Sequence, residues 1–410
     1  MRVLLPNNAI VIIRLLRPMD RQTIFANQPK PDPIIYRAGW VVAEPETIIQ
    51  NGAILVHQGK ILSVDSFGNH PAYPVIDCGP GIIMPSTVNC HTHLELSVLY
   101  GKVPLDVKFI DWIRNVINLR AKETEQSIHE ATQKSIQTMM HDGCGIIGDI
   151  SSLGVTWSSL LASDLCGIWF REYLGNESIE INVLETNACL NMSLAGHAPH
   201  TTSPLLLQDL KKRADRRPFS IHVAESIDEC EFITTAKGQW ANLLSERQIS
   251  YVNWPIPQKS PVQYLDYLSI LDSKTIVVHG LMTSLEDLII LHKRGVYVCV
   301  CPRSNEILHH FLPDIISMGQ HHIPICIGTD SLACVSTLSI FDEMRFIGNR
   351  FPMISPVDIL SMGTRNGAHA LGLENCFGTL QPGKHALFVY LPITHANRSN
   401  IIENIIFQEI

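Results

Sequence analysis

The stretch "GIIMPSTVNCHTHLELS" (residues 81–97) decides how the rest of the chain is read. An apolar run delivers two histidines, His91 and His93, one residue apart. On a β-strand, residues i and i+2 project to the same side, so both imidazoles face one way. Alone, the pair reads equally as two metal ligands or as two unrelated surface histidines. The remaining ligands have to come from elsewhere in the chain.

Downstream, apolar strand candidates alternate with amphipathic segments. The strands are "GIIGDIS" (145–151), "CGIWFREYLG" (166–175), "FSIHVAES" (219–226), "TIVVHG" (275–280), "VYVCVCP" (296–302) and "IPICIGTDS" (323–331). Helical stretches such as 127–143 and 284–295 lie between them, the second stopped by Gly295. Repeated β–α units imply a parallel sheet covered by helices. With 85–89 as the first strand and about eight available, a (β/α)8 TIM-like barrel is favoured over a doubly wound sheet. "CGIWFREYLG" is taken as the fourth strand. Upstream, residues 34–84 read as short antiparallel strands, and "GTLQPGKHALFVYLP" (378–392) returns to that texture. The expected organisation is an N-terminal extension (1–33), a β-sandwich part (34–84), the barrel (85–372) and a second β-sandwich part (373–410).

The 410 residues are 46% hydrophobic and 17% charged, enough apolar material for a large α/β domain and a smaller companion. A formal net charge of −8 and no basic run interleaved with aromatics argue against nucleic acid or an anionic membrane as partner. Eleven cysteines without framework spacing fit a reducing, cytoplasmic setting. Cys299 and Cys301 read as small buried hydrophobes. The apolar N-terminus is interrupted by Pro6, Asn7, Asn8, Arg14 and Arg17 too early for a spanning helix, and it has no clean secretory-signal pattern. A small-molecule substrate is the expected partner, and a homodimer is compatible with the sequence.

Polar residues fall at the C-terminal ends of these strands, where a parallel barrel gathers its chemistry. His91 and His93 follow the first strand, His222 sits in "IHVAE", His279 ends "IVVHG" and Asp330 ends "CIGTD". Singly, His222 is a core histidine and Asp330 a helix N-cap; five in register around one rim is a site. Nitrogen and carboxylate donors without thiolate suit one divalent transition metal, Zn²⁺ first and Fe²⁺ as the alternative. Glu225, three residues beyond His222, is placed to move protons without binding metal, although a solvated Glu at a helix start looks the same.

These motifs give the chain its resemblance. "MPSTVNCHTHLELS", "HVAES", "VHG", "CPRSN", "GTDSLA" and "NGAHALGLENCFGTLQPGK" resemble, in order, the mononuclear deaminase and chlorohydrolase branch of the amidohydrolase superfamily. The resemblance covers about residues 34–392. It implies a (β/α)8 barrel with a β-sandwich built from both chain ends, His91, His93, His222 and Asp330 as metal ligands, and Glu225, His279 and Asp330 as catalytic groups. Ser86 stands where glycine is usual, and "GKHAL" replaces a common "GKxAD"; both lie away from the rim. Binuclear relatives use a carboxylated lysine on the fourth strand, and no lysine occurs between Asp142 and Leu210. One metal is therefore expected. No P-C-x-x-C exists, which excludes the unrelated zinc nucleobase deaminases.

The reaction so implied is hydrolytic deamination of an aromatic amidine-like carbon. Asp330 takes a proton from water, His279 orients the nucleophile, and Glu225 protonates the adjacent ring nitrogen. Glu225 favours amine over chloride as leaving group, because chloride departs unprotonated. "FIDWIRNVI" (109–117), "SPVQYLDYL" (260–268) and "CPRSNEIL" (301–308) are most similar to aminodeoxyfutalosine deaminases of menaquinone biosynthesis. That substrate carries a benzoate on an adenine nucleoside, so a cation should meet it. Arg171 and Arg303 are the expected cations, His197 the ribose-side residue and Trp112 a pocket wall, although a core position on an amphipathic helix is the commoner role for such a tryptophan. For His197 and His200, local loop hydrogen bonds are an equal alternative. The rival readings are another purine-nucleoside or S-adenosylhomocysteine-type deaminase, a chlorohydrolase-like enzyme, or a non-catalytic metal-binding scaffold.

Overall fold

The computed structural model describes residues 11–14, 33–69, 73–176, 186 and 189–407. Eight parallel strands run in chain order around one sheet: β1 (Thr87–Thr92), β2 (Cys144–Ser151), β3 (Cys166–Tyr173), β4 (Leu190–Gly196), β5 (Phe219–Val223), β6 (Thr275–His279), β7 (Tyr297–Val300) and β8 (Ile325–Ile327). The ring closes between β8 and β1. There the Thr329 and Asp330 N–H groups donate to the His91 carbonyl at 3.0 and 3.1 Å, and Asn89 Nδ2 donates to Thr329 Oγ1 at 2.7 Å. The fold is a (β/α)8 barrel with small sheets from the chain ends. β3 is the strand expected to be fourth; the fourth is Leu190–Gly196, whose polar Asn191 and Ser193 blur an apolar reading.

Alternation along the strands separates two cores. Val88, Ile146, Ile150, Ile168, Phe170, Ala195, Ile276, Val278, Cys299 and Cys326 form one buried cluster, the barrel interior. Ile147, Trp169, Leu194, Ile221, Val277, Val298 and Ile327 belong to the second, shared with the surrounding helices. Both faces are buried, which is why these strands read as near-continuous apolar runs. Some helices start on capping side chains. Ser284 and Asp287 form a capping box for Leu285–Arg294, which ends on Gly295 in the left-handed region at φ 67°.

Two small sheets flank the barrel. One holds strands 11–14, 387–391, 82–85, 40–44 and 47–50 side by side, and the other 60–66, 52–57, 34–37 and 75–77. Two expectations change. Val11–Arg14 is no appendage, because it pairs antiparallel with Leu387–Leu391; the rest of 1–32 lies outside the described residues. At the other end, Ile401–Phe407 is a helix whose Ile401, Ile402, Ile405 and Ile406 are buried in the barrel-side core. Its i, i+1, i+4, i+5 isoleucines make one apolar stripe. Among the described residues, no helix is long and apolar enough to cross a membrane.

Candidate active site

β1 delivers its histidines through a bulge. Between Ile147 and Asp149 the partner strand advances three residues, from Asn89 to Thr92. The extra residue shifts the pleat, so His91 and His93 turn inward together. At β8, Gly328 permits the close approach: a Cβ there would lie 2.7 Å from His91 Cβ and 2.9 Å from Cys299 Sγ. On β6, alternation would send His279 outward with Val277. Its backbone leaves the strand with φ 71°, and Asp330 does likewise with φ 62°. Non-glycine residues in this region cost energy and are held by their surroundings.

The four expected ligands converge. His222 Nε2 lies 3.2 Å from His91 Nε2 and 3.3 Å from His93 Nε2, and His93 Nε2 lies 3.8 Å from Asp330 Oδ1. His222 Nδ1 donates to the His197 carbonyl at 2.6 Å, which leaves the Nε2 lone pair free. Burial, and then the neighbouring histidines, push His91 and His93 well below the ordinary imidazole range. Neutral lone pairs this close repel unless a cation sits among them. A tetrahedral ion with bonds of about 2.0–2.1 Å has donor–donor edges of about 3.3–3.4 Å, and the histidine spacing matches. Among the described residues, His91, His93 and His222 form one metal-competent group and Glu172, His197 and His222 another. The donor set therefore fits a divalent metal.

Around this centre stand the proton-handling groups. Asn305 Nδ2 donates to His279 Nδ1 at 3.1 Å, so His279 Nε2 carries the proton, 3.6 Å from Glu225 Oε1. Burial alone would raise the Glu225 carboxyl, but His279 and then His309 outweigh it and hold the group well below the usual range. Asp330 is raised by burial, although His279 and the Ser304 hydroxyl, which donates to Oδ2 at 2.5 Å, oppose this. Glu172 is pushed up to about 7 by burial, and among the described residues its Oε1 has no hydrogen-bond partner.

Above the centre a cavity opens between two helices. Phe109–Arg120 contributes Trp112, Ile113, Val116 and Ile117, and Gln239–Glu246 contributes Trp240, Leu243 and Leu244. His197 and His200 line the inner wall; His197 Nδ1 bonds Thr201 Oγ1 at 2.6 Å, whereas among the described residues neither ring nitrogen of His200 has a hydrogen bond, and its Nδ1 lies 3.7 Å from Glu229 Oε1.

The two expected carboxylate-binding arginines are not brought to this cavity. Arg303 bonds Glu343 Oε1 at 2.8 Å, Thr337 Oγ1 at 2.9 Å and the Thr337 carbonyl at 2.7 Å, which occupies its guanidinium. Arg171 lies on the outward face of β3, with its guanidinium 5.6 Å from the Tyr173 ring centroid. Alternation gives the inward position to its neighbour, Glu172. Among the described residues, the cations that line the cavity are Arg120 and Arg247. Arg120 is held by Glu95 at 3.3 Å and Ser152 Oγ at 3.0 Å. Arg247 is exposed and has no ion pair among the described residues. Sequence reasoning also passed over His309, although its i, i+4 spacing from Asn305 was a readable signal.

The Amidohydrolase family profile matches residues 82–408, most of the chain. The chain belongs to the amidohydrolase family. It is similar to the 5-methylthioadenosine/S-adenosylhomocysteine deaminase of Pyrococcus abyssi, 27% identical over 83% of this chain and 81% of that one. It is 28% identical to the aminodeoxyfutalosine deaminase of Deinococcus radiodurans over 71% and 73% of the two chains. Among solved structures, the Helicobacter pylori aminofutalosine deaminase in complex with methylthio-coformycin superposes with a TM-score of 0.81. That match covers 92% of this chain and 96% of the other at 22% identity, a likeness of fold.

Proposed function

We propose that this chain is a metal-dependent aminohydrolase of adenine-type nucleosides, with 6-amino-6-deoxyfutalosine of menaquinone biosynthesis as its substrate. Family membership and the deaminase-named homologues make it a hydrolase acting on carbon–nitrogen bonds. The observation that carries the deaminase reading is Glu225 facing His279 beside three converging histidines and Asp330. A scaffold that only held metal would need neither Glu225 nor His279.

A divalent ion, Zn²⁺ by preference, would be held by His91, His93, His222 and Asp330 and would supply Lewis acidity, lowering the pKa of water toward about 7. The chain's own residues handle the protons. Because Glu225 is held ionised, it has to collect a proton before it can give one. Glu225 takes one proton of the attacking water and passes it to the ring nitrogen beside the reacting carbon. Asp330 takes the second and returns it to the amino group, which leaves as ammonia while the carbonyl forms. His279 Nε2–H orients the attacking oxygen.

The cavity's shape supports an extended nucleoside. Two apolar helix faces make a slot suited to an aromatic ring or a thioether, and Arg247 at its open end suits a terminal carboxylate. Arg247 thus takes the role expected of Arg171 or Arg303. Eleven cysteines without framework spacing fit the cytoplasmic setting proposed for the enzyme. The test is ammonia release from adenosine, 5-methylthioadenosine, S-adenosylhomocysteine and aminodeoxyfutalosine by metal-loaded protein. Highest kcat/KM on aminodeoxyfutalosine is expected. Preference for another member removes the futalosine assignment, and no release from any of them removes the deaminase reading.

A further inference from the structure

Glu225 has to keep its orientation while largely withdrawn from water, with only 13% of its side chain exposed. Its main chain is pinned: the Glu225 N–H donates to Glu229 Oε2 at 2.7 Å, and the Ala224 N–H donates to Oε1 at 2.9 Å. The side chain is fixed separately. Two imidazoles reach the same carboxylate oxygen, His279 Nε2 at 3.6 Å and His309 Nε2 at 3.5 Å from Oε1. Among the described residues, Oε2 has no hydrogen bond and remains available to a ligand.

His309 comes from the helix Pro302–His309, four residues after Asn305. Residues so spaced share a helix face. One face therefore sets both neighbours of Glu225, His279 through Asn305 and the second imidazole directly. The His309 ring centroid lies 4.4 Å from that of Phe109, which lines the cavity. The His309 side chain is 6% exposed and is not among the residues that line the cavity.

We propose that His309 is a positioning residue for Glu225. Its Nε2–H holds Oε1 beside His279 and so aims Oε2 at the ring nitrogen of the substrate. The neutral Nε2–H tautomer and the imidazolium both present this donor, so the role is geometric. A buried carboxylate with one donor fewer would rotate to find another. The proposal rests on the deaminase reading in that Glu225 is the group that carries the proton.

Kinetics, metal content and a crystal structure of the metal-loaded His309→Leu and His309→Gln variants test it. His309→Leu should lose on the order of 10–100-fold in kcat, the scale of a misplaced reacting group, with KM and metal content near wild type. His309→Gln, whose amide N–H reaches the same oxygen, should recover most of that loss. In the crystal structure of His309→Leu, the Glu225 carboxylate should have turned away from His279. Should the Leu variant not fold, His309→Asn, polar but too short to reach Glu225, carries the same expectation. Wild-type kcat in the Leu variant, equal losses in Leu and Gln, or a change confined to KM would overturn the proposal. An inactive wild type would remove the deaminase reading while the crystal structure still judges this one: an unmoved Glu225 refutes it and a turned Glu225 supports it.

Discussion

Arg247→Gln offers the sharpest check on what the cavity recognises. Arg247 is exposed at the mouth and unpaired among the described residues, so its charge is available to a substrate carboxylate but partly screened by water. Two unit charges about 4 Å apart interact by about 1 kcal/mol in bulk water and about 4 kcal/mol at an effective dielectric of 20. A mouth position lies nearer the first limit, so about 1.4 kcal/mol, or about tenfold in kcat/KM, is the expected loss on a carboxylate-tailed nucleoside. Adenosine, which has no carboxylate, should be unaffected. Ammonia release with both substrates measures the gap. Raising ionic strength from about 0.1 to about 1 M shortens the Debye length from about 10 to about 3 Å, so the wild-type advantage on the tailed substrate should narrow. Arg120→Gln is the control. It strips Glu95 of its guanidinium partner and should impair both substrates together. Equal losses on tailed and plain substrates in Arg247→Gln, or none on either, would refute the assignment of the tail to this arginine.

Glu225→Gln should cut turnover on the order of 10²–10⁴-fold or more while metal content stays near wild type; loss of the metal, by elemental analysis, would make Glu225 a ligand instead. Zinc titrated into metal-free protein should bind at one ion per chain and raise the thermal midpoint by mass action; two tightly held ions would break the site as drawn. Glu172→Gln should stabilise the metal-free protein at pH 8 but not near pH 4.5. Burial raises this carboxyl to about 7, so its folded form binds a proton that the unfolded chain, titrating near about 4.5, has released. Its stabilising share is full below the unfolded value and is lost as pH rises through about 7; the amide escapes that loss, worth about 3 kcal/mol at most. Denaturant unfolding at the two pH values measures it, and an equal gain at both would refute the cause.

Much of the site was legible because its signals are local. His91, His93, His222, His279 and Asp330 each sit beside an apolar run, and a parallel barrel brings all strand ends to one rim whatever the helices do. Strand β4 was less legible, since Asn191 and Ser193 interrupt its apolar pattern. The arginines misled for a different reason. Arg171 and Arg303 both lie close to rim ends in the chain, but one step of strand pleat turned the first outward and Glu343 captured the second.

The sequence by itself determined the barrel, the gathering of His91, His93, His222, His279 and Asp330 at one rim, and the absence of lysine between Asp142 and Leu210, since each depends on residue type along the chain and on the order of the strands. Only the tertiary structure decided which charges reach the cavity, that His309 meets Glu225, and that Val11–Arg14 joins a sheet with Leu387–Leu391. Those facts depend on where segments far apart in the chain meet and on which way a side chain turns after a bulge or a left-handed residue. Local pattern holds no record of either, because packing between distant elements sets both.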